Sequence, residues 1–197
     1  MHYTEPGIRV VTVFFAALVG FGLKHLADVT ECSAPDIYPH RAICFVLGVL
    51  LFLRFLLGSA NHLSYEHGQA GKEVDTWNLG FDLAGLTGFG IIAVSICYAG
   101  TLAQFLQWSV YFLAAACVWM VLDAVFFGDN QARWWPGWLI IDLVQISFLQ
   151  LVICRMTEMG ELCFGYARWK VILLPVYFLC LAADFAFQMH VLKPKER

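Results

Sequence analysis

Six runs of about 20 mostly apolar residues, joined by short polar links, fill nearly all of this 197-residue chain. That pattern leaves few folds open. A run of this length crosses a hydrocarbon layer as a helix, because each residue adds ~1.5 Å of rise. The runs are approximately residues 10–29, 42–63, 77–98, 106–127, 135–156 and 170–192. Only 14% of residues are charged, against about 25% in an average soluble domain. The expected fold class is all-α: a polytopic membrane protein, a six-transmembrane-helix bundle with short loops. Residues 1–197 then form a single membrane domain.

The links support these divisions. Pro35 and Pro39 read as helix breakers between the first two runs. Asp75 or Thr76 can cap the third helix. Residues 100–105 form a tight, uncharged connection, and Gly128-Asp129-Asn130-Gln131 is a turn signal. The first run lacks a small-residue cleavage site, so it reads as a retained span. Positive charge favours one side, with Arg9, Lys72, Arg133, Lys193, Lys195 and Arg197 there. The other side holds Arg41, Arg155, Arg168 and Lys170, with Lys24 near a span end. Both termini are expected in the cytoplasm and the protein in the plasma (inner) membrane. Trp77, Trp108, Trp134, Trp135, Trp138 and Trp169 fall near run ends, as an interfacial aromatic belt would.

Arg54 lies inside the second run. A guanidinium facing hydrocarbon costs at least ~2.5–3.5 kcal/mol, so it must face protein, water or an anion. Helical spacing puts Arg54, Gly58, Asn61, His62 and Tyr65 on one face. Four other runs each carry an acid: Asp82, Asp123, Asp142 and Asp184. Counted from span ends in an alternating topology, all four lie roughly 6–12 Å below the same surface. Asp82 and Asp142 fall in early turns, where the helix dipole favours an anion. Asp123 and Asp184 fall towards C-terminal ends, where it does not. They extend polar stripes: Ser109, Ala116, Trp119, Asp123 on one helix and Tyr177, Cys180, Asp184, Gln188 on another. Asp142 shares a face with Gln145.

One arginine cannot neutralise four carboxylates. One reading pairs Arg54 with one or two acids and leaves the rest at the interface. The other makes the layer a pathway for a cation or proton. Under that reading Arg54, Asp123 and Asp184 form the core, with Asp82, Asp142, Asn61 and His62 around it. At the opposite surface Lys24 and Asp28 are spaced to pair on the first helix.

Small residues recur at helical spacing: Ala16 and Gly20; Gly80, Ala84 and Gly88; Ala182 and Ala186. These faces are expected to pack within the bundle, with dimerisation as the alternative. Thr87–Gly90 (TGFG) is a fragment of a potassium-filter pattern, but a packing face explains it better. Cys32 and Cys163 fall in expected outer loops and are the pair that could form a disulfide. No zinc-ligand spacing is present and no cofactor is expected; haem would need His62 and His190 as axial ligands. A net charge of −3 without a basic patch excludes a nucleic-acid surface. No catalytic motif is found, so an enzyme is not expected.

The leading expectation is a channel- or transporter-like protein that binds or conducts a small cation or proton. The alternative is a non-transporting subunit that anchors, senses or recruits a partner complex. The lipid bilayer is a partner in both, and a homo-oligomer or a partner membrane subunit is open in each.

Overall fold

The interior is organised around α4, whose first half is buried on both sides by neighbouring helices. The computed structural model describes residues 13, 16–17, 19–25, 38–67, 76–126, 135–158 and 167–191. The described residues form six helices and no strand. We label residues 19–25 as α1, then α2 (Tyr38–His67), α3 (Thr76–Cys97), α4 (Leu102–Phe126), α5 (Trp135–Glu158) and α6 (Ala167–Val191). Three of them, over Gly80–Cys97, Leu102–Phe126 and Pro136–Glu158, are long and apolar enough to cross a membrane. Shorter apolar stretches lie at Ile43–Ser59 in α2 and Val171–Phe187 in α6.

The helix boundaries correct two sequence expectations. Pro39 does not end a segment; it lies in the first turn of α2, which begins at Tyr38. The first-turn N–H groups have no intrahelical partner, so proline loses nothing there. The helix α4 begins at Leu102 rather than at 106. Thr101 Oγ1 accepts from the Gln104 amide (3.1 Å), and Gln104 Oε1 accepts from the Gly100 amide (3.0 Å). This is a capping-box arrangement displaced by one residue, and it starts the helix a full turn early.

Helices adjacent in sequence pack against each other from α2 to α6, and α6 packs back on α2. Five helices therefore close a ring. The α3–α4 turn at residues 98–101 is too short for anything but antiparallel neighbours. At the start of α5, Gly137 faces Phe187 near the end of α6, so that pair is antiparallel too. An odd ring of alternating helices must contain one parallel pair, and here it is α2 with α6. Cys44 lies near Tyr177, and further along both helices Arg54 meets Asp184. The helix α1 packs outside the ring, Gly22 against Cys97 of α3 and Leu23 near Gly48 of α2. Its His25 stacks on Tyr98 with ring centroids 3.7 Å apart.

The interior divides into two halves. At one end it is apolar, with Leu47, Ile96, Phe105, Leu149, Met156 and Leu173 almost wholly buried. At the other end Asn78, Asp82, Asp142, Gln145 and Asp184 are buried. Between them lies an aromatic cluster of Phe52, Phe55, Phe89, Phe112 and Trp119, with successive ring centroids 4.5–5.9 Å apart. Edge-on packing of this kind adds to area burial and favours one arrangement.

The small-residue stripes face outward, contrary to the expectation that they pack inside. Gly80 and Ala84 are exposed, and a Cβ at Gly80 or Gly88 would meet nothing within 4 Å. Ala182 and Ala186 are exposed as well. Close packing falls on other glycines: a Cβ at Gly85 would lie 2.8 Å from Trp119 Nε1, and one at Gly137 would run into the Phe187 ring. Thr87–Gly90 lies inside the continuous α3, with the Thr87 hydroxyl donating to the Leu83 carbonyl. Trp77 is 84% exposed at the start of α3, as a belt residue would be, whereas Trp169 is only 8% exposed.

These environments predict opposite outcomes for two alanine substitutions. Gly137→Ala should lower thermal stability in detergent by about 1–3 kcal/mol, the usual cost of overpacking. Gly80→Ala should leave it unchanged or raised by up to ~1 kcal/mol, from helix propensity. Circular-dichroism melts of both variants check this.

Candidate functional site

The residue that sets the site is Arg54, 6% exposed and in the middle of α2. Its guanidinium points into the ring towards α5 and α6. Three of its nitrogens are engaged: Nε donates to Asp184 Oδ2, Nη1 to Gln145 Oε1 and Nη2 to Asp142 Oδ1. Asp142 and Asp184 are also buried, 6% and 5% exposed, and Gln145 is 1% exposed. Three acceptors arranged round one planar fork suit arginine, whose N–H groups are fixed in direction, and would not suit the point charge of lysine.

Local sequence explains the placement. On α5, Asp142, Gln145, Leu149, Val152 and Met156 are all buried, at helical spacing. The first two therefore lie at the polar end of an otherwise apolar stripe. On α6 the inward stripe is Leu173, Tyr177 and Asp184, with Cys180 half-buried between them. Asp184 lies near a helix C-terminus, where the dipole disfavours a carboxylate. Arg54 supplies the compensating charge. The thiols of Cys117 on α4 and Cys180 on α6 lie within electrostatic reach of the cluster.

The expected residues thus separate into groups. Arg54, Asp142 and Asp184 meet. Asp123, expected in the core of the site, is half-buried near the end of α4 and makes contacts of its own. Asp82, fully buried on α3, likewise has its own contacts. The charges acting on Arg54 come chiefly from Asp142 and Asp184. Ring order alone does not select them: α3 adjoins α2, yet Asp82 keeps contacts of its own, while the long Arg54 side chain reaches across the ring to α5. Gln145 was absent from the expected site, although its position one turn after Asp142 was the available signal. The side chains of Asn61, His62 and His190, and all of Cys32, Cys163 and Asp28, lie outside the described residues.

Chemically, the cluster holds one positive and two potentially negative groups. Asp184 Oδ1 is buried and meets no hydrogen-bond donor among the described residues. A carboxylate oxygen in that position is costly unless something neutralises it. Among the described residues no group of three or more His, Cys, Asp or Glu side chains is arranged to hold a metal ion. Comparison with models of protein families, with curated proteins and with solved structures finds no match.

Removing the arginine should be costly. Arg54→Met leaves the buried Asp142 and Asp184 carboxyls without their donor and should destabilise the protein by about 3–5 kcal/mol. Arg54→Lys keeps the charge but cannot span three acceptors, and its loss should be intermediate. Thermal or denaturant unfolding in a fixed detergent gives the order; equal stability of Arg54→Met and the parent would contradict the geometry.

Proposed function

We propose that the chain is a six-span integral membrane protein, both termini cytoplasmic, that handles a cation or proton at the Arg54–Asp142–Asp184 cluster. The six spans rest on the six apolar runs, on three helices of full crossing length and on two further apolar stretches in α2 and α6. Orientation rests on the loop charges.

The observation that carries the functional reading is the charge imbalance. Two buried carboxyls share one guanidinium, and one of their oxygens, Asp184 Oδ1, meets no donor among the described residues. A purely structural strut needs only one acid per arginine. Intramembrane acids in excess of their partners are typical of ion and proton pathways. Asp82 and Asp123 lie towards the same end of the ring and would line the approach to the cluster. Flux through proteoliposomes tests this. Asp142→Asn and Asp184→Asn should each abolish flux while the protein remains inserted and folded. Full flux in both variants would remove the cluster from any transport role.

A second reading is favoured by the outward stripe of Gly80, Ala84 and Gly88. Such faces allow close helix approach in lipid. The protein would then be a non-transporting subunit, its Arg54 cluster fixing helix register and α3 meeting a partner helix. Under this reading the wild-type protein carries no flux, and Ala84→Leu strips the partner from the purified complex.

A further inference from the structure

We infer that the cation handled at this cluster is a proton, seated on Asp184 Oδ1. The resting unit is then one guanidinium, one carboxylate at Asp142 and one carboxylic acid at Asp184. This deepens the reading above, on which its role in transport rests.

The argument is one of donors, charge and space. A metal cation needs several oxygen ligands; calcium takes 6–8 and magnesium about six. Here Asp142 Oδ1, Gln145 Oε1 and Asp184 Oδ2 are each already turned onto the guanidinium. A second cation among them would face that positive charge at contact distance, in an interior where screening is weak. A proton needs a single oxygen, and Asp184 Oδ1 is a buried one with no donor of its own. Its bond to the proton forms where the structure leaves an acceptor unmet, and the charge of the unit falls from −1 to zero.

The surroundings leave Asp184 as the group that takes it. The groups facing it are Arg54 of α2, Asp142 of α5 and Cys180 of its own helix. Of the two carboxyls, Asp184 is the one with an oxygen that is buried and meets no donor among the described residues. The choice of carboxyl has a mechanical consequence. A carboxylic acid accepts the Arg54 Nε hydrogen bond less strongly than a carboxylate does. Protonation therefore loosens the α2–α6 contact, the one parallel seam of the ring, and leaves Arg54 held to α5. Loss of the proton tightens the seam again.

Infrared spectra of the full-length protein in lipid vesicles, in H2O and in D2O at neutral pH, test the assignment. The expected signal is the C=O stretch of a protonated carboxyl that shifts in D2O and on carbon-13 labelling of aspartate. It should move in Asp184→Glu and stay in place in Asp142→Glu; both variants keep a carboxyl. It should vanish in Asp142→Asn, because one arginine then balances one ionised Asp184. A band that moves with Asp142→Glu instead, or persists in Asp142→Asn, overturns the inference. So does the absence of any band sensitive to Asp184. The spectra need no flux. A protein with the Asp184 band and no ion flux supports the proton assignment and sinks only the transport reading; ion flux without the band sinks only the proton assignment.

Discussion

A buried guanidinium must be surrounded, and Arg54 is surrounded by side chains from two helices far away in sequence. That requirement fixes much else. Its acceptors come from α5 and α6, so these helices must present their polar ends at the level of the middle of α2. Removing either partner from its place would leave a charge in an apolar interior. The cost of that outweighs the small preferences that position apolar helices relative to one another. The cluster thus acts on register, which apolar packing alone specifies weakly.

The ring gives the cluster its location. Because α2 and α6 run the same way, their C-terminal halves lie together, beside the N-terminal half of α5. Polar groups gather at that end, and the opposite half of the interior is filled by leucine, isoleucine and phenylalanine side chains. The aromatic cluster of α2, α3 and α4 stands between the halves. Any ion that reaches Arg54 from the polar end therefore meets a closely packed apolar region beyond it, so passage across would require those rings to move.

How much of this was legible in the sequence depends on which physical rule governs each feature. The helices α2 to α6 and their approximate limits follow from hydrophobic run length. So does a common level for the acids, because depth is set by rise per residue and chain alternation. Two boundaries shifted for local reasons, the Thr101–Gln104 cap and the tolerance of Pro39 in a first turn. Which acid meets Arg54 was not legible. That choice depends on α6 adjoining α2 and on the Arg54 side chain reaching α5, and apolar helices carry little information about their neighbours. The small-residue stripes misled for a related reason. Spacing identifies a smooth face, but whether a bulky side chain such as Phe187 or Trp119 sits opposite decides which glycine is needed.

The most direct measurement is a double-mutant cycle between Arg54 and Asp184, read as unfolding free energy in one detergent. Arg54→Met, Asp184→Asn and the double variant are compared with the parent. If the two side chains meet in the interior, their effects couple by at least ~1.5 kcal/mol, as a buried hydrogen bond to a charged group does. Losses that add to within about 0.5 kcal/mol would mean the two groups do not touch, and the cluster would not exist as described.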